Sequence, residues 1–282
     1  MEANNEELMQ KILASVDELP PMPEVVVKAQ QLLATPDSSA KELAALLETD
    51  QAIAAQILKM SNSSFFGMSG KVSSIQHACL VLGNKNLSEI IAAAGAKKSL
   101  ETKLPGYGLD SEDLWQHALS VALGSKIIAS RRNPDLEMVA HTAGLVHDVG
   151  KIILDPFVME NKEAFESYIF EEDQTQLNAE QEVLGFDHAE IAAEVCEKWR
   201  IPEVISTAIR YHHSPSLSLE VELGSILHMA DYISLMSGAG YEDDNFIYEL
   251  EAGTMDYLEL DQDDINELSL EIQDAVANLM DS

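Results

Sequence analysis

The chain has 282 residues and 46% of them are hydrophobic, so it can form one large domain or two small ones with a buried core. It carries 49 Asp and Glu against 17 Lys and Arg, for a formal net charge of -32. This balance argues against direct binding to nucleic acid or to an anionic membrane surface, because both need clustered basic side chains.

The first hundred residues are typical of a helical lobe. Helical periodicity predicts a helix near 5–16 and, after the Leu19–Pro23 turn, a second one through Val25 to Leu33. A capping box of Ser39 and Glu42 begins the third helix, and Asp50 caps the fourth. A loop is expected over 62–74, followed by helices near 75–82 and 84–98.

Helix-breaking residues between Ser99 and Glu112 indicate a boundary between two lobes. Beyond it, the periodicity predicts helices near 112–130, 135–155, 160–171, 174–183, 188–199, 202–213 and 220–237. The 72 residues after Arg210 contain 17 acids and no Lys or Arg. Their Leu and Ile spacing from Leu258 to Val276 favours a packed closing helix over a solvated tail. The sequence lacks the alternation of Val, Ile and Thr that is typical of strands, so the predicted fold class is all-α, with two helical lobes.

No apolar run approaches the roughly 18 residues of a membrane-spanning helix, and the first seven residues lack the basic start of a signal peptide. Cys79 and Cys196 stand alone, which excludes a disulfide framework and a CxxC motif. We therefore expect a soluble, cytoplasmic protein without a membrane contact.

Five of the eight histidines and two aspartates form a series along the second lobe, and imidazole and carboxylate are the usual ligands of Fe, Mn, Zn and Ni. Adjacent helical residues point about 100° apart, so a His-Asp pair can border one cleft and its carboxylate can bridge two ions. The series is His117, His147, Asp148, His188, His212, His213 and Asp231. By helical spacing, Asp113 could add an oxygen ligand beside His117, and Lys151 could point to the same cleft.

Each of these residues also has an ordinary interpretation. Asp148 could pair with Lys151, and His212-His213 could end a helix and favour its dipole. His77 and His141 are interpreted as structural or surface residues. His228, one turn before Asp231, could support the metal ligands. The whole series on successive helices favours the metal interpretation.

The stretch Ala143–Lys151, which reads AGLVHDVGK, resembles the signature of the HD superfamily of metal-dependent phosphohydrolases. The surrounding segments resemble the HDOD family, the HD-related output domain of bacterial signalling proteins, over roughly residues 15–240. These segments are Leu19–Pro23, Thr49-Asp50, Ser61–Ser63, Leu82-Gly83, Leu184–His188, Trp199–Pro202 and His212–Pro215. The resemblance implies an HD-like helical bundle for the second lobe.

Many HDOD proteins lack the HD metal ligands, whereas this sequence keeps them. By similarity to the related HD-GYP phosphodiesterases, all seven residues of the series fall at ligand positions for two divalent ions. Lys151 matches that family's site lysine, and Asp113 takes the place of an extra glutamate. The Gly-Tyr-Pro segment is missing, since Ser214–Leu219 follows His213. Its absence argues against cyclic di-GMP hydrolysis.

Two hypotheses follow. The first is a signalling module that binds metal and acts through contacts with protein partners not identified by the sequence. The alternative is an active phosphohydrolase or phosphodiesterase, in which Asp148 and Lys151 would be catalytic and a phosphate ester or nucleotide would bind. The predicted division is an HDOD-type lobe over 1–105, a metal-binding lobe over 106–240 and an acidic helical extension over 241–282, packed on the metal-binding lobe.

Overall fold

The computed structural model describes residues 8, 10–16, 23–35, 39–66, 71–170, 174–199, 201–239 and 248–280. Among these residues no strand occurs, apart from an isolated antiparallel bridge between Leu104 and Leu109. The predicted all-α fold class is therefore confirmed. Within the described ranges, no helix is both long and apolar enough to cross a membrane.

The early helices match the predicted pattern. Residues 10–16 are helical, and the labelled helices that follow are α1 (Glu24–Leu33), α2 (Ala40–Leu47), α3 (Gln51–Ser61), α4 (Ile75–Val81) and α5 (Gly83–Leu100). The Ser39–Glu42 capping box is present, and the Asp50 carboxylate caps α3 by accepting from the backbone N–H groups of Ala52 and Ile53. These two capping predictions are confirmed. The predicted 62–74 loop contains a short 3-10 turn at Ser64–Phe66, and its residues 67–70 lie outside the described ranges.

Ten further α-helices follow in the described part of the chain. They are α6 (Asp113–Arg132), α7 (Glu137–Val146), α8 (Gly150–Glu160), α9 (Lys162–Phe170), α10 (Gln176–Leu184), α11 (His188–Lys198), α12 (Glu203–Arg210), α13 (Val221–Met236), α14 (Thr254–Leu258) and α15 (Gln262–Met280). The predicted closing helix is present as α15, in which Leu268 and Ile272 are fully buried.

The single helix predicted over 135–155 is wrong, because the chain turns at His147–Val149 between α7 and α8. Two glycines fix this turn in place. A Cβ on Gly144 would lie 2.5 Å from the Ala122 Cα of α6, and one on Gly150 would lie 2.0 Å from the His188 carbonyl oxygen. The backbones of α7 and α8 thus approach α6 and α11 too closely for a side chain at these positions.

The helix predicted over 202–213 is also shorter, since α12 ends at Arg210 and Tyr211–His213 form a turn. The two histidines therefore follow the helix instead of ending it.

The chain divides into two compact units that are each discontinuous in sequence. The larger unit comprises Met1–Leu19 and Leu100–Ser269, and the smaller unit comprises Pro20–Ser99 and Leu270–Ser282. In the larger unit α6 packs against α7 and α13, and α11 packs against α8 and α12. The division of the chain near residues 105 and 240 stays a prediction.

In the smaller unit α2 packs against α1 and α4. The Gln30 side-chain amide donates to the Ser88 backbone carbonyl, and its oxygen accepts the Ser88 hydroxyl proton. The Ser64 hydroxyl donates to the Asn278 side-chain oxygen at 2.8 Å. Residues 20–99 are thus joined to the second half of α15 within one unit.

Candidate metal centre

Seven predicted side chains meet inside the larger unit, and we call them the His–Asp cluster. They come from the second turn of α6, the α7–α8 turn, the first turn of α11, the turn after α12 and the middle of α13. The members are His117, His147, Asp148, His188, His212, His213 and Asp231. His213 is partly buried and the other six are at most 3% exposed.

Local backbone structure sets the orientation of two of these rings. The Nδ1–H group of His147 donates to the Gly144 carbonyl at 2.9 Å, and that of His212 donates to the Ile209 carbonyl at 2.7 Å. A carbonyl oxygen only accepts, so each neutral ring carries its proton on Nδ1. Nε2 of both rings then has a free lone pair, as a metal ligand requires.

Two other rings are held in the same way by groups far away in sequence. The His117 Nδ1–H group donates to the Ala239 carbonyl at 3.3 Å. The His188 Nδ1–H group donates to the Glu180 carboxylate at 2.7 Å, and that carboxylate also accepts the His188 backbone N–H. Tyr107 donates its hydroxyl proton to the other Glu180 oxygen at 2.8 Å. Such outer carboxylates orient metal-binding histidines and raise their basicity.

The turn between α10 and α11 makes the Glu180–His188 contact possible. Gly185 ends α10 with a positive φ of 82°, and the Asp187 side chain caps α11 by accepting the Glu190 N–H. His188 is therefore the first residue of its helix, where its backbone N–H needs an acceptor from outside the helix. Glu180 supplies that acceptor and holds the ring with the same oxygen.

The Asp148 carboxylate lies between two groups of imidazoles. Its Oδ1 atom is 3.3 Å from His188 Nε2 and 3.6 Å from His147 Nε2, while Oδ2 is 3.7 Å from His117 Nε2. Oδ2 also accepts from the Lys151 ammonium at 2.7 Å. Both oxygens thus face nitrogen atoms of the cluster.

Several buried nitrogen and oxygen atoms of the cluster converge. His117 Nε2 lies 3.0 Å from Asp231 Oδ1, and against the effect of burial this contact lowers the pKa of the carboxyl group. His147 Nε2, His212 Nε2 and Asp231 Oδ1 are buried without a hydrogen-bond partner. Buried polar atoms are normally paired, so a set of lone pairs aimed at one point indicates a place for a cation.

The ligand atoms form three overlapping groups, in each of which all atoms lie within 4.8 Å of one another. The groups are His188–His212–His213, His117–His147–Asp148 and His147–His212–Asp231. The donor chemistry therefore fits divalent transition metals such as Fe, Mn, Ni or Zn.

Charges in the cluster are also suited to a cation. Burial alone would raise the pKa of Asp148, but Lys151 and the neighbouring histidines outweigh it and hold this pKa well below the usual value. Burial lowers the pKa of His147, and lowers that of His212 to about 3. Asp148 is thus ionised and His147 and His212 are neutral at neutral pH, the protonation states that metal ligands need, whereas at His188 burial is outweighed by Glu180, which raises the pKa of that ring.

Asp113 is not brought into the cluster. Its carboxylate accepts the backbone N–H of Asp110 at 2.5 Å, across the turn that leads into α6, so helical spacing from His117 was misleading.

The other three histidines lie outside the His–Asp cluster. His77 lies in α4 of the smaller unit, and the buried His141 in α7 has its pKa lowered by burial to about 3. His228 is buried next to the cluster and donates to Tyr248.

Sequence reasoning missed Glu180 and Tyr248. Glu180 had a usable signal, because it lies with Ala179 and Leu184 on the buried face of α10, where an unpaired carboxylate is costly. Tyr248 follows a segment outside the described residues and belongs to no helix, so periodicity gave no signal.

A cavity of about 480 Å³ opens onto the cluster. Five cluster members line it together with Lys151, the start of α10 from Thr175 to Asn178, and the segment 248–252. A small molecule could therefore reach the candidate ligand atoms from this side.

Replacing Glu180 with glutamine should weaken metal affinity about 10- to 100-fold, the usual effect of losing such an outer carboxylate. The amide is neutral, and its NH2 group cannot accept the Tyr107 hydroxyl proton, so it supports the His188 ring less strongly than the carboxylate does. Metal titration of the chelated protein measures the effect, with Glu182→Gln, exposed on the same helix, as the control. Equal affinities in both variants would show that Glu180 does not support the site.

The chain is similar to known proteins in both sequence family and fold. The HDOD domain model matches residues 19–215. An HDOD domain protein of unknown function from Geobacter sulfurreducens has 27% identity and a TM-score of 0.79, over 99% of each chain. A candidate phosphohydrolase from Shewanella amazonensis SB2B has 21% identity and a TM-score of 0.73, over 95% of this chain and 96% of its own.

An uncharacterized protein of Treponema pallidum (strain Nichols) is 25% identical over 216 residues. The match covers 73% of this chain but only 40% of that relative. The shared region is thus less than half of the longer protein.

Proposed function

The chain belongs to the HDOD domain family, and from this premise we propose that it is a signal-transduction module with a dinuclear HD-type metal centre. Its output would be a contact with another protein, and the metal would have a structural or sensory role. The observation that carries the proposal is the complete His–Asp cluster with its orphaned Nε2 atoms.

Two ions are supported by the position of Asp148. Its Oδ1 atom faces His188 and His147, and its Oδ2 atom faces His117. A single tetrahedral or octahedral ion that also binds water needs fewer than seven protein donors. Two ions that share one carboxylate would use all seven. His117, His147, Asp148, His188, His212, His213 and Asp231 would hold the metals.

A regulatory role is favoured over catalysis by the lining of the cavity. Among its described lining residues Lys151 is the only lysine or arginine, and it is paired with Asp148 at 2.7 Å. Glu249 and Glu251 also line the cavity. An anionic substrate would therefore meet carboxylates on approach, and electrostatic steering would work against it.

The alternative is a metal-dependent phosphohydrolase. It is favoured by the complete ligand set, by Lys151 next to Asp148 and by a cavity that reaches the cluster. Similarity to the Shewanella protein supports the shared fold. Bound metal ions would supply an activated water and polarise a phosphoryl oxygen. A phosphate ester or nucleotide would then be the ligand.

Turnover separates these functions. The full chain, loaded with Mn²⁺ or Fe²⁺, should hydrolyse cyclic dinucleotides, nucleotides and a generic phosphodiester no faster than Asp148→Ala does. Elemental analysis of the same samples measures bound metal. Hydrolysis by the wild type that the variant loses would establish the enzyme, and a wild type that binds no metal would refute both functions.

A further inference from the structure

Residues 248–252, which we call the strap, line the cavity and are tied to α13 through His228. The backbone N–H of Glu251 donates to His228 Nε2 at 2.8 Å. Nε2 is therefore the acceptor, and the ring proton is on Nδ1. That Nδ1–H group donates to the Tyr248 hydroxyl oxygen at 2.9 Å. The strap is thus held at two points by one buried imidazole.

The hydrogen bond from His228 also determines where the Tyr248 hydroxyl can donate its own proton. Because its oxygen accepts from His228, its own proton is available to the neighbouring Asp231 carboxylate, with which Tyr248 forms a side-chain hydrogen bond. The hydroxyl is buried, and its pKa lies well above the usual value because of burial first and of Asp231 second. Tyr248 therefore connects a proposed metal ligand to the strap.

On its other side the strap holds a loop. The Glu251 carboxylate accepts the backbone N–H of Ser216 at 3.1 Å and the Ser216 hydroxyl proton at 2.7 Å. We call residues 214–219 the surface loop. Its Leu217 side chain is 70% exposed and its Leu219 side chain 94% exposed. A series of hydrogen bonds thus links Asp231 to Ser216, which lies in the same loop as the two exposed leucines.

Acidic side chains flank these leucines along the chain. Glu220 follows the surface loop directly, Glu249 is exposed in the strap, and no Lys or Arg occurs after Arg210. Solvent-exposed leucines in an acidic setting complement a partner that presents apolar side chains flanked by Lys or Arg. Nucleic acid and anionic lipid have the wrong charge for this surface.

We propose that the surface loop and the strap form the docking surface for a basic, apolar segment of a partner protein, and that metal occupancy controls this surface through Asp231, Tyr248 and His228. The inference rests on the proposed function and names the surface that the proposed output uses. With metal bound, Asp231 is fixed and holds Tyr248. Without metal, Asp231 can turn toward the neighbouring imidazoles, so that the strap and the surface loop lose their anchor.

Hydrogen exchange of the full chain tests the coupling, because amide protection reports local opening. Chelating the metal should speed exchange in 214–219 and 248–252 at least tenfold in the wild type. Tyr248→Phe should keep its metal but exchange fast in both segments with or without it. The amides of α9 serve as the internal control and should not change. Equal protection with and without metal in the wild type would overturn the coupling, as would metal-dependent protection that persists in Tyr248→Phe.

A pair of synthetic peptides tests the chemistry of the partner. Metal-loaded protein should bind a fluorescent Lys/Leu peptide at least tenfold tighter than a Lys/Ser peptide of equal charge. Leu219→Asp should abolish this difference, whereas Leu270→Asp, at a residue 65% exposed on α15, should not. Equal binding of both peptides, or a difference that survives Leu219→Asp, would overturn the docking surface. A wild type that binds no metal would instead refute the proposed function.

Discussion

Replacing Asp148 with alanine is expected to remove bound metal from the purified protein and to lower its free energy of unfolding by about 3–5 kcal/mol. Both effects follow from the position of this carboxylate. It faces three imidazoles of the His–Asp cluster, and it accepts the ammonium of Lys151 at 2.7 Å. The variant would take the Asp148 counter-charge away from Lys151, which is only 3% exposed. Elemental analysis and urea unfolding measure the two losses.

A second variant separates metal binding from the ion pair. Adding Lys151→Met to Asp148→Ala removes the stranded charge, so most of the stability should return while the metal stays absent. Lys151→Met alone keeps the carboxylate and should keep the metal. If Asp148→Ala retained a full complement of metal, the carboxylate would not be a ligand. If the double variant were no more stable than Asp148→Ala, the stranded lysine would not explain the loss.

Gly150→Ala should destabilise the larger unit by at least about 3 kcal/mol, at the upper end of ordinary overpacking. The new Cβ would lie 2.0 Å from the His188 carbonyl oxygen and 2.8 Å from the Ala192 backbone nitrogen. Because both atoms belong to the backbone of α11, no side chain can move aside and the two helices must separate. The melting temperature should fall by roughly 6–12 °C for a unit of this size.

Gly224→Ala is the matched control, since Gly224 also lies in the first turn of a helix. Its Cβ would come no nearer to another atom than 3.3 Å, the distance to the Pro215 Cβ, so the change in melting temperature should be small. The separation of α8 and α11 would also move His188, so Gly150→Ala should bind metal more weakly. Unchanged stability of Gly150→Ala would mean that the close approach of α8 and α11 is not needed.

The sequence was sufficient to predict most of the helices and the members of the His–Asp cluster. The helices depend on local sequence patterns, and the cluster consists of distinctive residue types. Periodicity and caps at Ser39 and Asp50 depend on neighbouring residues, and both caps are present. His147 and Asp148 could be singled out because histidine and aspartate are common metal ligands. Their placement in a turn was not predictable from periodicity, because the turn is imposed by contacts of Gly144 and Gly150 with α6 and α11.

The residues that support the His–Asp cluster were harder to predict, because their roles also depend on tertiary contacts. Glu180 and Tyr248 act through partners that only the tertiary structure brings near, namely His188 and His228. Asp113 shows the opposite error, since its helical spacing from His117 suggested a ligand but its carboxylate serves the backbone of Asp110. Spacing along a helix predicts a shared face, whereas the rotamer depends on the nearest available donor.

The discontinuous make-up of the smaller unit has a consequence for biosynthesis. Residues 270–282 belong to the same unit as Pro20–Ser99, yet about 170 residues separate the two pieces in the chain. At translation rates of about 5–20 residues per second, the second piece leaves the ribosome roughly 10–30 s after the first. During that interval the nascent smaller unit lacks the buried side chains of Ile272, Ala275 and Leu279. Its complementary apolar surface is then open to chaperones.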